Sequence, residues 1–145
     1  MDLNSIFAIS GAGMEVEQAR FNAAALNMAN AHSTRASDGS LYQPLRVISR
    51  AGGNMDFGQV FQGFDAQAFA PRIQQYVPTS DAPRMMYDPG HPSANEAGYV
   101  ETPAINSTLE MLSLITALRA YEANVVALNA AKSMAMKSME IGGNT

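Results

Sequence analysis

Between Asn106 and Ile141 the chain reads NSTLEMLSLITALRAYEANVVALNAAKSMAMKSMEI, and this stretch decides the fold. Every third and fourth residue from Met111 collects Met111, Leu114, Leu118, Tyr121, Val125, Leu128, Lys132, Ala135 and Met139, an apolar seam broken only by Lys132. A three-four alternation is the a/d repeat of helices that supercoil around a partner. Neither Gly nor Pro interrupts the run. Ser107-Thr108-Leu109-Glu110 has the Ser-x-x-Glu form of a capping box, and Gly142-Gly143 suits a left-handed stop. Glu110 near the start and Lys132 and Lys137 near the end complement the helix dipole. Such a helix extends about 50 Å, more than the core of a small domain needs. It is expected to pack along something.

The first segment, Leu3 to Asn30, supplies a partner. Phe7, Met14, Phe21 and Met28 recur every seven residues, and Ile6, Ile9, Val16 and Leu26 widen the stripe. Gly11 and Gly13 weaken an isolated helix by up to about 1 kcal/mol each but let a second backbone come close, so a kink or tight crossing is expected near Ser10–Gly13. The fold class that follows is mainly α with a small β-rich or irregular middle, its long terminal helices forming an antiparallel coiled coil. The expected organisation is an N-terminal helix over 1–31, a central loop and short-strand segment over 32–104, and a long C-terminal helix over 105–145.

The middle differs in character. All seven Pro lie between Pro44 and Pro103, and Ser37-Asp38-Gly39-Ser40 and Gly52-Gly53-Asn54 are turn signals. Short strands are predicted at Leu45–Arg50, Gln59–Phe61, Ile73–Val77, Arg84–Tyr87 and Tyr99–Val100. Asp88-Pro89-Gly90-His91-Pro92 reads as a rigid turn.

Composition narrows the function. The 145 residues are 47% hydrophobic, with ten Met and no Trp, a mix suited to close helix packing and adaptable interfaces. A net charge of −4 with nine scattered basic residues offers no basic face for nucleic acid. Without Cys there is no disulfide, thiolate metal site or cysteine nucleophile. Met1-Asp2-Leu3-Asn4-Ser5 lacks a basic n-region and an unbroken apolar segment, and no apolar run is read as long enough to span a bilayer. Work outside the cytoplasm is therefore expected to need another export route.

Chemistry has little to stand on. His32 and His91 are the only histidines and are far apart in sequence, a poor start for a metal site. Asp38, Asp56, Asp65, Asp81, Asp88, Glu96 and Glu101 are dispersed among turns. Gly11-Ala-Gly13 and Gly52-Gly53 lack the spacing and following Lys of a phosphate loop. Arg119 and Glu122 read as a weak pair on a solvated face. No catalytic, metal or cofactor-binding residues are expected, and no cofactor. A helix lying on a membrane is disfavoured by Glu15 and Glu17 beside only Arg20. Protein partners are the better assignment.

Several stretches together resemble a known family. Ala25-Leu26-Asn27-Met28-Ala29-Asn30-Ala31 resembles the Asn-x-x-Asn-Ala signature that closes the first helix of the flagellar axial proteins (rod, hook and hook-associated proteins). Leu118-Arg119-Ala120-Tyr121-Glu122-Ala123-Asn124 resembles their C-terminal Arg-x-Tyr-x-Ala-Asn motif. Ser37-Asp38-Gly39-Ser40-Leu41-Tyr42 and Tyr87-Asp88-Pro89-Gly90-His91-Pro92, with Gly98-Tyr99-Val100 following, are similar to proximal rod proteins of the FlgC type. The family's Pro-Asn-Val-Asp lead into its last helix is here Pro103-Ala104-Ile105-Asn106.

The resemblance implies a structural subunit of the flagellar rod in the periplasm, exported without a cleaved signal peptide through the flagellar type III export apparatus. Its implied partners are copies of itself and rod proteins of the FlgB, FlgF, FlgG and FliE types, with the surrounding basal-body rings as further neighbours. The subunits assemble helically through their terminal helices into a drive shaft that encloses the export channel. The assembly interface expected from seams and motifs comprises Phe7, Met14, Phe21, Asn27, Met28, Asn30, Met111, Leu114, Leu118, Tyr121, Asn124, Val125, Leu128 and Met139. A helical subunit of a related type III secretion needle or inner rod would share the helices without needing the Tyr87–Pro92 turn. A small periplasmic enzyme would need a pocket of converging carboxylates.

Overall fold

The computed structural model describes residues 3–36, 38–51 and 70–142. Its elements run α1 (Leu3–Ala29), β1 (Leu45–Ala51), β2 (Pro71–Pro78), β3 (Arg84–Tyr87), β4 (Tyr99–Thr102) and α2 (Ser107–Gly142). The two helices pack antiparallel along most of the length of α1. Asn27 meets Glu110 at one end, and Gly13 faces Asn124 further along, at matching spacings on both helices. On this register the start of α1 lies opposite about Met134, leaving the last two turns of α2 to project roughly 12 Å beyond it.

The face that joins the helices is not the seam of large residues. Met111, Leu118, Tyr121, Met139 and Phe21 are exposed, whereas Phe7, Met14, Met28, Leu114, Val125 and Leu128 are half-buried. What is buried is small: Ser5, Ser10, Ala19, Ala23 and Ala24 with Val16 on α1, and Ala117 and Ala131 on α2. The expected coiled coil of bulky a/d residues is therefore corrected to a pair of helices joined through small side chains. Ala at the contact draws the axes toward the short end of the roughly 8–10 Å range, and close approach selects side-chain size over apolarity. Gly13 marks the tightest place, since a Cβ there would lie 2.9–3.1 Å from the Asn124 side-chain amide. Helix α1 runs unbroken through Gly11 and Gly13, and the close approach expected there is present at Gly13.

The start of α2 differs from the expected capping box. Asn106 is the cap: its Oδ1 accepts from the backbone N–H of Thr108 (3.0 Å) and Leu109 (3.3 Å). Glu110 turns inward instead. By length and composition α2 is apolar enough to cross a membrane, contrary to the reading of the sequence.

Two small antiparallel ribbons fill the middle. β1 pairs with β2 from Leu45↔Pro78 to Ala51↔Pro71, with a register irregularity between Ile48 and Ser49. β3 pairs with β4 from Arg84↔Thr102 to Tyr87↔Tyr99. The predicted strands near 45, 73, 84 and 99 are all present; Gln59–Phe61, Gly52–Asn54 and Ser37 lie outside the described residues. An isolated two-stranded ribbon is marginal in water. β1 gains support by laying half-buried Leu45, Val47 and Ser49 against α1, while Ile48 and Arg50 are exposed and the partly exposed Arg46 reaches Glu110 of α2. β4 leads through buried Val100, Thr102, Pro103 and Ile105 into α2.

Candidate assembly interface

The motif that ends α1 has a clear physical content. Asn27 is wholly buried, and every polar atom of its amide is used. Nδ2 donates to the Leu45 carbonyl (3.0 Å) and to Glu110 Oε2 (3.2 Å). Oδ1 accepts from the Leu45 N–H (2.8 Å) and the Tyr42 hydroxyl (2.9 Å). Three residues on, Asn30 turns back along its own helix, where its Nδ2 donates to the Leu26 carbonyl (2.8 Å) and its own carbonyl accepts from Ser33 Oγ (2.9 Å). Asn27 thus clamps the chain, and Asn30 finishes the helix.

Glu110 completes the clamp. Its carboxylate is 2% exposed, and Oε1 lies 2.8 Å from Arg46 Nη2, whose side chain is 54% exposed. Three elements meet here: the end of α1, β1 and the first turn of α2. Burial, and secondarily the Glu110 charge, raises the Tyr42 phenol above its ordinary value of 10.0. Asn27, expected at the assembly interface, is buried and satisfied on all sides within its own chain. Asn124 is half-buried against Gly13, its Nδ2 donating to the Ala120 carbonyl (3.0 Å).

The large apolar side chains lie outside this framework. Met111 is 54% exposed, Leu118 46% and Ile141 77%, with Ile115, Val126, Met136 and Met139 similarly open. Exposed apolar area of this extent is more than singly scattered surface residues would give. One groove is shaped by the clamp itself. It holds about 380 Å³ between α1, β1 and the first half of α2, floored by Ala23, Ala24 and Ala117 and walled by Leu45, Val47 and Leu112.

The central motif builds a second exposed feature. The Asp88 N–H donates to the Gly98 carbonyl (3.0 Å), and Asn95 Oδ1 accepts from Ala97 and Tyr99 N–H groups (3.0 and 2.9 Å). Gly98 has φ +79, and a Cβ there would sit 3.0 Å from the Tyr87 ring, so only glycine fits. Tyr87 and Tyr99 meet edge to face with centroids 5.3 Å apart. His91 serves the turn, its Nδ1 accepting from the Ser93 N–H (3.0 Å). Met85, Met86 and Tyr87 on β3 are exposed. An Arg35–Glu101 ion pair ties the loop after α1 to β4. Among the described residues no three His, Asp or Glu side chains come together as a metal site would require.

Comparison with known proteins adds a family. The model of the flagellar basal body rod FlgEFG protein C-terminal region matches residues 96–141. The chain is 34% identical over 142 residues to flagellar basal-body rod protein FlgC of Yersinia enterocolitica, covering 98% of this chain and 99% of that one. To the protein of the same name from Escherichia coli O157:H7 it is 32% identical, with the same coverage. To that from Bacillus subtilis (strain 168) it is 30% identical over 141 residues, covering 92% and 94%.

Proposed function

The chain belongs to the FlgC family of flagellar basal-body rod proteins, as a structural subunit of the rod and not an enzyme, and from that premise we propose how it assembles. The terminal helices form the rod wall, and the subunit joins its neighbours through the large apolar side chains that its own fold leaves uncovered. The observation that carries this reading is the partition of α1 and α2, with mostly Ala and Ser fully buried between them while Met111, Ile115, Leu118, Val126, Met136 and Met139 stay exposed. A helix pair that holds itself together through small residues keeps its larger ones free. Contacts between different faces of successive copies do not close on themselves and so generate a helical array. Torque passes through many such contacts, and no reacting group is needed.

The finer placement is part of the same proposal. The rod segment is the proximal one, in the periplasm, reached through the flagellar type III export apparatus. The neighbours are further copies and rod proteins of the FlgB, FlgF, FlgG and FliE types, with the β3–β4 ribbon facing outward toward the surrounding rings. The apolar composition of α2 is assigned to protein contacts, because Arg119, Glu122, Asn129 and Lys132 interrupt it.

Leu118→Asp tests the interface. The residue is half-exposed in the single chain, so the isolated fold should change by less than about 0.5 kcal/mol. In the rod the same change buries an unpaired charge. Motility should be lost, and basal bodies imaged by electron microscopy should stop before a completed rod. Normal rods built from the variant would mean that this face is not an interface.

A further inference from the structure

We propose that α2 of one copy packs parallel on α2 of a second copy, three residues out of step. Leu118 then enters the groove of the second copy, Glu122 meets its Arg119, and Glu140 meets its Lys137. The inference rests on the rod-subunit reading above and adds the faces, direction and register of the contact between copies.

Helix geometry gives α2 two free flanks. At about 100° per residue, they stand about 100° to either side of the face that buried Ala117 presents to α1. Leu118, Asn129 and Met136 mark one flank, and Thr116, Ala127 and Met134 the other; all six are exposed. Four exposed charges stand toward the crest between the flanks. Glu122 and Glu140 lie nearer the first flank, Arg119 and Lys137 nearer the second. The two acids are separated by the same interval as the two bases, 122 to 140 and 119 to 137. That interval is about five whole turns, so each pair points one way.

A shift of three residues therefore satisfies both charge pairs at once. The same shift brings Leu118 within about 1.5 Å of Thr116 along the axis, and Met136 within about 1.5 Å of Met134. Leu118 lands over the 380 Å³ groove that Thr116 and Leu112 line with Leu45 and Val47. Val126 comes level with Ala123. Asn129 meets Ala127, small enough to leave its amide the turn back onto its own helix that Asn124 makes. The charges of the groove are already paired within their chain, Glu17 with Arg20 and Arg46 with Glu110, both at 2.8 Å. The incoming stretch level with them carries Arg119 and Glu122, both at the crest and turned away from the groove. Lys132 comes level with the uncharged stretch of α1 around Ala8. Exposed ion pairs add little affinity; here they fix register, while the apolar flanks supply the attraction.

The reversed arrangement also pairs the charges, Glu122 with Lys137 and Glu140 with Arg119. It takes Leu118 out of the groove to Ile141, and successive copies then point opposite ways. One screw repeated along α2 keeps every copy pointing the same way, and a contact between two different flanks stays open.

The chain has no Cys of its own, which makes cross-linking direct. Leu118→Cys with Thr116→Cys in one chain tests the groove end, and Met136→Cys with Met134→Cys the far end. Residues two apart do not face each other on a helix, so neither pair closes within a chain. Basal bodies are purified from cells making only the variant, then oxidised. Each pair should give a ladder of dimers, trimers and higher species that collapses on reduction, and no single variant should give one. Met136→Cys with Ala123→Cys, about 15 Å apart along the axis in the parallel register, should give none. A ladder from that pair, with none from Met136→Cys and Met134→Cys, overturns the parallel direction. Rods that contain the chain but give no ladder with any pair overturn the contact and leave the rod reading intact. A native chain missing from basal bodies overturns the rod reading as well.

Discussion

The clamp of Asn27, Arg46 and Glu110 makes an asymmetric prediction. Glu110 is almost fully buried, whereas Arg46 has more than half of its side chain in water. Charges about 4 Å apart attract by about 4 kcal/mol at an effective dielectric of about 20. The solvent reaching Arg46 discounts the pair to a fraction of that figure. The cost of losing a partner, however, depends on which group stays behind. Arg46→Met leaves a buried carboxylate with one 3.2 Å hydrogen bond from Asn27, and an uncompensated buried charge costs several kcal/mol. With the groove open to water on one side, about 2–4 kcal/mol is expected. Glu110→Gln leaves a guanidinium that can turn to solvent, while the Gln carbonyl still accepts from Asn27; about 1–2 kcal/mol is expected. The double variant should be more stable than the sum of the two losses predicts, with a coupling of about 1–2 kcal/mol. Urea unfolding of the purified chains, followed by far-UV circular dichroism, measures all four corners. At the usual m-values the Arg46→Met midpoint should fall by on the order of 1–2 M. If Arg46→Met costs no more than Glu110→Gln, burial does not make the pair asymmetric and the account of the clamp is wrong.

Two further outcomes follow from local geometry. Gly11→Ala should stabilise the isolated chain by about 0.5–1 kcal/mol, because nothing lies within 4 Å of a Cβ there. Gly13→Ala should gain less or lose, since its Cβ meets the Asn124 amide; equal thermal shifts for the two would remove the tight crossing. For Tyr42 the sign is set by burial, which keeps the folded phenol protonated after the unfolded one, near 10.0, has begun to ionise. The folded state then binds more protons, so stability is fully present below about pH 10 and is lost as pH rises through the higher folded value. Tyr42→Phe should remove that alkaline fall in a pH series of melts; an unchanged slope would assign it elsewhere.

Much of the fold was legible because its signals are local. Glycine-free and proline-free heptad runs mark α2, and period-two runs between turn residues mark the four described strands. The start of α2 was misread for a physical reason. Ser107 and Glu110 satisfy the capping-box spacing, but Asn106 stands in position to cap first, and Glu110 finds Arg46 and Asn27 in the interior. The helix-helix seam was misplaced for another. Periodicity finds apolar residues, and in α2 these lie one position away from the Glu110, Ala117, Asn124 and Ala131 face that α1 covers. The partner of a seam, whether the same chain or another, is not written in its period. Asn27 could have been assigned inward from the sequence only by knowing that Leu45 and Tyr42 return to it, a long-range fact.

The partition of residue sizes has an energetic consequence that links the fold to its use. Burying an Ala methyl returns roughly 0.8 kcal/mol, while fixing one residue's backbone costs roughly 1–2 kcal/mol. A helix pair joined largely through Ala and Ser therefore gains less per residue than one joined through Leu and Ile, and the clamp adds to it by fixing the register. Each Leu, Ile or Met covered on assembly adds about 1.5–3 kcal/mol, so the larger share of the hydrophobic stabilisation is withheld until a neighbour arrives. Anything that binds the folded state alone shifts the folding equilibrium toward it. Here the ligand in that sense is the next subunit, and covering the exposed large residues on assembly adds to the stability that each copy already has. A chain with the same large residues turned inward would be a sturdier monomer and a poorer building block, because its outer faces would have little left to join.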